Sequence, residues 1–524
     1  MDAAAQKMYD RRWWSLAILC MSLLVTTVDN TILNVALPSI VKDIGASGSD
    51  LQWIVDAYSL VFAGLLLTAG SLGDRLGRKG ALTFGLIWFG TFSALASQAG
   101  SSSQLIICRG LMGVGGAFIF PTTLSMITNT FPDARERARA IGIWAGVAGL
   151  GVAIGPLGGG LLLEHFFWGS VFLVNVPICI AAVVLGHFLV PDSRDPEEGK
   201  LDPLGSVLSI IGLGGLLYGI IQAPELGWGD PLVITGLVVG AVFIAFFLLW
   251  ERWTPDPMLN LSFFKNPRFS AASTTITLTY FGLFGSTFLL TQYFQFVLGY
   301  SPLKAGMMTA PVAIGLMVAA PRAPGFVDRY GTKKVIFTGL LVVAGCLSLY
   351  GSDTVMSSFV AGGLVRLVFG LGMGLTTAPA TESIMGSLPL GKAGVGSAVN
   401  DTTRQTGGAL GVAVLGSIFA LRYHSIVQTD AVPASLRDGV HDSIGRAIEV
   451  AQAPGVAATD ANAAINAARE AFIVSMRLSY ALAAGIILLA AGVTWKYLPA
   501  WAPGATPITR EDEVLAEAMS VTDA

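Results

Sequence analysis

The chain has 524 residues, of which 53% are hydrophobic and only 12% are charged, and its mean hydropathy is +0.68. A soluble domain carries roughly a quarter charged residues, so this composition excludes a soluble enzyme and a disordered chain. The net charge of −3 provides no basic surface for nucleic acid. The remaining class is an all-α polytopic membrane protein.

Runs of about 20 apolar residues, the length that crosses a bilayer, occur fourteen times along the chain. They are long and continuous, unlike the short alternating strands of a membrane β-barrel. The first run contains Asp29 and has no small-residue cleavage site, so we interpret it as a retained helix rather than a signal peptide. The predicted spans are 13–37, 51–71, 80–99, 104–128, 138–163, 166–189, 204–222, 232–250, 268–297, 302–325, 335–351, 358–386, 395–420 and 471–497.

Lysine and arginine are unevenly distributed between the predicted loops. If the N-terminus lies inside, most of them fall in inner loops, and the short outer loops hold only Lys42 and Lys304. Basic residues concentrate on the cytoplasmic side of membrane proteins. We therefore expect a multi-pass protein of the plasma membrane with both termini cytoplasmic and a tail at 498–524.

Two stretches of the sequence recur. Gly-Ser-Leu-Gly-Asp-Arg-Leu-Gly-Arg-Lys-Gly at 70–80 is repeated in weaker form as Gly-Phe-Val-Asp-Arg-Tyr-Gly-Thr-Lys-Lys at 325–334, and Arg109 with its following glycines matches Arg366. Parallel repeats of six spans with a substrate site at their interface are typical of secondary transporters. The predicted units are an N-terminal six-helix bundle (13–189), two extra helices with linkers (190–267) and a C-terminal six-helix bundle (268–497).

Ionisable residues inside the predicted spans are costly and therefore candidates for function. At about 1.5 Å per residue, Asp29, Asp56 and Arg109 lie at similar heights in the outer half of the membrane. Burial raises the pKa of a carboxyl group and a nearby arginine lowers it, so a proton and a cationic substrate can compete for Asp29. The alternative is a permanent structural pair of Asp29 with Arg109, and Asp56 is the second candidate for coupling.

A second group of charges lies in spans twelve and thirteen. Asp401 and Arg404 are three residues apart and share a helical face, which predicts an intrahelical pair. Glu382 lies near the inner end of span twelve and is either a proton or substrate site or a solvated charge at a helix end. All three are candidates for proton coupling, whereas Arg366 has no evident carboxylate at its depth.

Span nine carries Tyr280, Phe284, Phe288 and Gln292 at intervals of four residues. An aromatic wall suits flat lipophilic cations through cation–π attraction, although helix packing or lipid contact explains the same pattern. These residues, together with Asn30 and Asn34 of span one, are the candidate substrate cavity.

The polar segment 422–470 separates spans thirteen and fourteen. Leu436, Val440, Ile444 and Ile448 recur every four residues with charges between them, which predicts an amphipathic helix. We expect it to lie on the outer leaflet or to cap the mouth of a cavity.

Four segments of the chain resemble the major facilitator superfamily, specifically its fourteen-helix drug:proton antiporter family. They are Leu-Gly-Asp-Arg-Leu-Gly-Arg-Lys at 72–79, the Arg109 segment, Gly-Val-Ala-Ile-Gly-Pro-Leu-Gly-Gly-Gly at 151–160 and Val-Asp-Asn-Thr-Ile-Leu-Asn-Val-Ala-Leu-Pro at 28–38. The third is similar to the motif associated with antiporters, and the fourth is typical of fourteen-helix drug exporters. The resemblance extends from about Trp13 to Leu498.

The resemblance implies two moving parts. Charges of the first repeated loop would form a cytoplasmic latch between the halves, where Asp74 can face a helix N-terminus; the alternative is that they only set the topology. The glycine-rich segment would form a hinge, because small residues and a proline allow close approach and bending; the alternative is ordinary packing. The latch residues are Gly73, Asp74, Arg75, Gly77, Arg78 and Lys79. The hinge residues are Gly151, Gly155, Pro156 and Gly159. The loop of the second half departs from the pattern, with Thr332 in place of Arg78.

The leading hypothesis is therefore a proton-coupled antiporter that exports lipophilic, often cationic compounds by alternating access. Its partners would be these substrates, protons and membrane lipids. No phosphate-binding loop for ATP occurs, the four cysteines lie in apolar runs, and the four histidines avoid the middle of the spans. We therefore expect no cofactor, no metal and no enzymatic activity. The alternatives are export of a lipid, a siderophore or a self-made antibiotic, and a non-transporting receptor or scaffold; the oligomeric state stays open.

Overall fold

The computed structural model describes residues 11–46, 48–193, 202–352, 359–430 and 432–501. The described residues form a bundle of long helices and contain no β-strand. The helices are α1 Arg12–Ile44, α2 Gly48–Leu76, α3 Arg78–Ala96, α4 Ser102–Thr130, α5 Ala134–His165, α6 Asn175–Leu189, α7 Pro203–Leu226, α8 Pro231–Trp253, α9 Pro267–Gln292, α10 Pro302–Ala319, α11 Thr332–Tyr350, α12 Phe359–Met385, α13 Ala393–Ile426 and α14 Ala458–Tyr497. The side chains of Asn34 and Pro156, part of the predicted 190–267 linker and nearly all of the predicted tail lie outside the described residues.

Within these residues, twelve helices are long and apolar enough to cross a membrane. The other two long helices are α3, with 19 residues, and α9, with 26 residues. α3 begins with Arg78 and Lys79, and α9 is rich in serine and threonine, which lowers their hydropathy. Both pack inside the bundle, α3 against α4 and α6, and α9 against α13 and α14. The chain is an all-helical, multi-pass membrane protein.

Several helices begin where the sequence provides an N-cap. The side chains of Ser101, Asp133, Asp230 and Asn266 each accept a hydrogen bond from a backbone N–H in the first turn of the helix that follows, which satisfies a donor that the helix itself cannot pair. The last helix differs from the expectation: α14 begins at Ala458 rather than at 471, because its alanine-rich first part favours helix although it is too polar to be recognised as a membrane span.

Two hydrophobic cores organise the bundle. One is formed mainly by α1 to α6 and the other mainly by α9 to α14. The helices between them, α7 and α8, pack mainly on each other, and α7 also contacts α2 and α13, one helix of each repeat. The Oγ1 of Thr68 and the Oγ of Ser209 lie 3.5 Å apart on one side, and the indole of Trp228 donates to Ser417 at 2.7 Å on the other. α7 and the turn that follows it therefore contact both repeats.

The two repeats meet at one end of the bundle. This end, named here the Asp74 end, holds the C-terminus of α2 and the N-termini of α1, α5 and α13. There α5 packs closely on α10 and on the residues that follow it. A Cβ on Gly142 would overlap the carbonyl oxygen of Ala320, and one on Gly149 would overlap Leu316. Small residues allow helix backbones to approach each other this closely.

The segment between α13 and α14 is not one amphipathic helix. It forms two short helices, Ala434–Asp442 and Ile444–Ala451, separated at Ser443. Leu436, Val440 and Ile444 are buried in the second core, and the hydroxyl of Tyr423 donates to the carbonyl of Val440 at 2.8 Å. The apolar face therefore packs on α13 and α14, and a position at the outer leaflet or over the mouth of a cavity stays a prediction.

Candidate functional site

A buried ion pair joins α1 to α4. Nη1 of Arg109 lies 2.5 Å from Oδ2 of Asp29, and neither residue is more than 1% exposed. The Nε of Arg109 donates to the carbonyl of Ile54 in α2 at 3.0 Å. Asp29 and Arg109, which were predicted to lie at similar depths in the membrane, are therefore in contact, and their ion pair is buried.

Three further side chains complete this site, and none of them was predicted from the sequence. The Nδ2 of Asn175 donates to Oδ1 of Asp29 at 2.9 Å and lies 3.0 Å from the Oγ of Ser93. The guanidinium of Arg109 lies 4.5 Å from the ring centroid of Tyr58. Asn175 stands alone as a polar residue in the apolar run 171–177, and this was the one signal that could have found it.

The hydrogen-bond partners of Asp29 show where its carboxylate lies in the described conformation. Both carboxylate oxygens accept hydrogen bonds, and among the described residues these donors come from helices of the first repeat. Asp29 thus lies inside one half and not at the interface between the halves. Asp56 lies on α2 between Ile54 and Tyr58, which both contact Arg109, and is half-buried. A substrate cation reaches Asp29 only if these helices separate.

A second charged cluster lies where the two repeats meet. The guanidinium of Arg404 lies 5.2 Å from the ring centroid of Trp144 in α5 and 5.1 Å from that of Tyr280 in α9. Its Nη2 also donates to the Oγ1 of Thr381 in α12 at 2.8 Å. Arg404 therefore contacts aromatic rings of both halves at once.

Asp401 and Arg404 interact electrostatically but form no direct hydrogen bond or close ion pair in this conformation. The guanidinium instead donates to Thr381 and lies beside the two aromatic rings. The Oδ1 of Asp401 accepts from the Nδ2 of Asn400 at 3.2 Å. Its Oδ2 is buried without a hydrogen-bond partner among the described residues.

Glu382 takes part in an ion pair between the halves rather than remaining a solvated charge at a helix end. Its Oε1 lies 3.3 Å from Nη2 of Arg137 at the start of α5, and both side chains are mostly buried. Arg268 at the start of α9 also interacts electrostatically with Glu382.

The Asp74 cluster, which consists of Asp74, Arg78 and the 391–395 backbone, joins the two halves more tightly. The Oδ1 of Asp74 lies 2.6 Å from Nη2 of Arg78 and accepts from the N–H of Gly394 at 2.9 Å. Its Oδ2 accepts from the N–H of Val395 at 3.1 Å. The Nη2 of Arg78 donates to the carbonyl of Gly391 at 2.8 Å. The carboxylate thus sits at the N-terminus of α13, where the helix dipole favours a negative charge.

The other members of the predicted latch lie elsewhere. Lys79 donates to the carbonyl of His187 at 2.8 Å, within the first repeat, and Arg75 approaches the carbonyl of Asp256 at 3.5 Å. Gly77 has a φ of 109°, which a residue with a side chain rarely adopts, and so allows the turn between α2 and α3. Gly73 packs near Thr122. Among the described contacts of the predicted set, those of Asp74 and Arg78 reach the second half.

The glycines of the predicted hinge face α1 in the described conformation. Cβ atoms on Gly151 and Gly155 would overlap Thr27 and Thr31, and one on Gly159 would overlap Ile32. These three glycines therefore pack on α1 within the first repeat. The glycines of α5 that face the second half lie nearer the start of the helix, at Gly142, Gly146 and Gly149.

The aromatic face of α9 is only partly buried. The ring centroids of Tyr280 and Phe284 are 5.9 Å apart, and Phe284 and Phe288 remain 47% and 39% exposed. Asn30 and Gln292 are half-buried. Tyr280 joins the Arg404 cluster, whereas the two phenylalanines line an exposed surface beside the glycines of α13.

Comparison with known proteins identifies the family. Residues 19–412 match the model of the Major Facilitator Superfamily. The chain is 39% identical to the "Multidrug efflux pump LfrA" of Mycolicibacterium smegmatis, covering 92% of this chain and 95% of the relative. It is 33% identical to the "Methyl viologen resistance protein SmvA" of Salmonella typhimurium, covering 93% and 98%.

A solved structure shows the same fold. The chain is 13% identical to the proton:xylose symporter XylE, with a TM-score of 0.61 and coverage of 94% of this chain and 96% of that one. The family match and the relatives confirm the resemblance on which the sequence analysis relied. This chain belongs to the Major Facilitator Superfamily.

Proposed function

We propose that this protein exports lipophilic, often cationic toxic compounds in exchange for protons by alternating access. The relatives that are named for multidrug efflux and methyl viologen resistance, at 39% and 33% identity, support the cargo. The observation that carries the mechanism is the closure of the two repeats at one end through the Asp74 cluster. A transporter of this kind needs such a closure to be reversible.

We propose that all fourteen long helices cross the membrane. Twelve of the spans meet the length and hydropathy expected of a membrane helix, and α3 and α9 pack among them over comparable lengths. We propose that the protein lies in the plasma membrane. The distribution of lysine and arginine favours an orientation in which the Asp74 end faces the cytoplasm. The described conformation is then closed to the cytoplasm.

In this proposal the Asp74 cluster and the Arg137–Glu382 pair are the cytoplasmic latch. Opening toward the cytoplasm breaks the hydrogen bonds from Gly394 and Val395 to Asp74 and separates Arg137 from Glu382. Charge-assisted hydrogen bonds contribute about 1.5–3 kcal/mol each. The binding energy of substrate or proton must offset this cost for the halves to separate.

Asp29 is the proposed proton-coupling group. A proton that binds to its carboxylate removes the negative charge that holds Arg109, so the guanidinium is released from its partner. A buried arginine without its counter-charge is strongly destabilised, which favours a rearrangement of α1 and α4 around the site. Loss of the proton restores the pair.

The Arg404 cluster is the proposed substrate contact. Arg404 places a cation between Trp144 and Tyr280, and a flat organic cation can occupy the same position between two aromatic rings. The carboxylate of Asp401 lies in the same cluster and supplies a compensating negative charge. The substrate and the guanidinium of Arg404 then compete for the space between Trp144 of the first half and Tyr280 of the second.

The test is flux in liposomes that contain the purified protein. A pH gradient is imposed, and the movement of ethidium is followed for the wild type and for Asp29→Asn in parallel. We expect gradient-driven flux in the wild type and at least a tenfold loss in Asp29→Asn, because the substituted amide cannot bind the coupling proton.

The other outcomes separate the parts of the proposal. Flux that survives Asp29→Asn leaves the antiporter intact and moves the coupling to Asp56, Glu382 or Asp401. Flux that does not respond to the pH gradient contradicts proton exchange. Absence of flux by folded protein contradicts this cargo and favours a lipid or metabolite as the substrate.

A further inference from the structure

A basic cleft at the Asp74 end is not used by the transport mechanism described above. It has a volume of about 650 Å³ and lies between the starts of α1 and α5 on one side and residues 321–330, which follow α10, on the other. Its walls thus come from both repeats. The lining side chains that carry the argument are Trp13, Arg135, Arg139, Arg322, Arg329 and Tyr330.

The charge of the cleft is positive and only partly compensated. Four arginines line it against two acids, Glu136 and Asp328. Glu136 accepts two hydrogen bonds from Arg12, at 2.8 and 2.9 Å, and Asp328 lies 3.8 Å from Arg135. Both acids therefore already have a cationic partner, and the positive charges of the remaining arginines are not compensated by these two acids.

Those remaining arginines are Arg139, Arg322 and Arg329, and all three are exposed. Arg322 donates to the carbonyl of Val318 in its own turn. Within the described parts of the chain, Arg139 and Arg329 contact the rings of Trp13 and Tyr330, at 5.7 and 5.6 Å, and donate no hydrogen bond. Their planar guanidinium groups are suited to bind phosphate through paired hydrogen bonds.

The surroundings of these arginines favour a lipid over a soluble anion. Phe326 and Tyr330 are 45% and 50% exposed beside them, and Trp14 is 66% exposed at the start of α1. Exposed aromatic side chains at the ends of spanning helices lie at the level of the lipid headgroups. Clusters of arginine at that level attract anionic lipids.

We propose that this cleft binds the phosphate headgroup of an anionic phospholipid. The phosphate is held by Arg139 from the first repeat and by Arg322 and Arg329 from the second. Because the two walls belong to different halves, the bound headgroup holds them together at the Asp74 end. An anionic lipid therefore favours the conformation that is closed at this end.

The test is lipid retention by the full-length protein in detergent, measured by native mass spectrometry after exposure to phosphatidylglycerol or phosphatidylcholine with the same acyl chains. The matched variants are the triple substitution Arg139→Gln, Arg322→Gln, Arg329→Gln and, at the opposite end, Arg422→Gln, Arg437→Gln, Arg446→Gln. Each basic residue near the surface contributes about 1 kcal/mol of attraction. We expect the first triple variant to lose at least about tenfold in phosphatidylglycerol retention, and the second to retain wild-type binding.

Three results would overturn the proposal. Equal retention of the two lipids by the wild type, or equal loss in both triple variants, shows that this cleft does not select an anionic headgroup. Displacement of phosphatidylglycerol by inorganic phosphate at low concentration assigns the cleft to a soluble phosphate instead. The measurement needs no transport activity, so its outcome is independent of the proposed export function.

Discussion

The two repeats carry an equivalent buried arginine in different electrostatic surroundings. In the first repeat, Arg109 forms an ion pair with Asp29 at 2.5 Å. In the second repeat, Arg366 lies 5.0 Å from the ring centroid of Phe294 and 3.7 Å from the Sδ of Met308. It is only 1% exposed, and no ion pair with it is formed within the described segments of the chain.

The two repeats thus keep an arginine at equivalent positions, while the side chains around that arginine differ. Arg366 contacts the ring of Phe294 and interacts electrostatically with Tyr350 and Tyr480, where the first repeat has a carboxylate, an amide and a hydroxyl. An aromatic ring stabilises a cation through a cation–π contact but offers no group that exchanges a proton at ordinary pH. Of these two arginine sites, the first is the one that we propose for proton coupling.

The largest effect that tests this comparison is expected for Arg109→Met. Removal of one partner from a buried ion pair costs about 3–5 kcal/mol, because the other charge remains buried without compensation. We therefore expect a strongly lowered thermal unfolding midpoint of the purified protein in detergent.

The double variant Arg109→Met with Asp29→Leu is the control for this prediction. Replacement of both charges by apolar side chains is often neutral for stability, so the unfolding midpoint should return close to that of the wild type. If the double variant unfolds as early as the single variant, the ion pair is not the cause of the loss.

The next largest difference is expected between the two repeated loops. Asp74 accepts two backbone hydrogen bonds from the other half, whereas Asp328 lies 3.8 Å from Arg135 with both side chains exposed. Asp74→Asn should weaken the closure, and Asp328→Asn should change it little, because exposed pairs contribute at most about 1 kcal/mol.

The measurement is thiol labelling of Ala398→Cys, whose side chain is buried against Gly70 in the closed interface, in a background with the native cysteines replaced by serine. We expect labelling to increase roughly tenfold with Asp74→Asn, since a charge-assisted hydrogen bond contributes about 1.5–3 kcal/mol. Equal increases for both variants would show that the two loops close the protein to the same extent.

A smaller effect is expected for Asn175→Ala. This change removes a hydrogen bond of 2.9 Å to Asp29 and leaves one carboxylate oxygen without that donor, at a cost of about 1–3 kcal/mol. The unfolding midpoint should fall by less than with Arg109→Met. Ser286→Ala in the second repeat, where the hydroxyl donates only to Leu283 of its own helix, is the matched control and should change stability by no more than about 0.5 kcal/mol.

The smallest effect is expected for Arg366→Met. Because Arg366 is buried without an ion-pair partner among the described residues, an apolar side chain of similar length loses no charge pairing and avoids the desolvation of the guanidinium. The unfolding midpoint and the ethidium flux should stay close to wild type. A loss as large as that of Arg109→Met would contradict the proposed difference between the repeats.

The sequence alone determined the features that depend on local pattern. Apolar runs predicted the helices, and the matching loops at 70–80 and 325–334 predicted the repeat. Because charged side chains are costly inside a membrane, Asp29 and Arg109 could be identified as candidate functional residues. These predictions were possible from the sequence because hydropathy, repeat spacing and burial cost are all properties of short segments.

Only the tertiary structure decided which side chains meet. Asn175 donates a hydrogen bond to Asp29, and Arg404 donates to Thr381 and contacts two aromatic rings. The backbone N–H of Gly394 donates to Asp74. Each of these contacts joins segments that are far apart in the chain, and so it depends on how whole helices pack. The glycines of α5 make the same point, since only the packing shows which of them face α1 and which face α10.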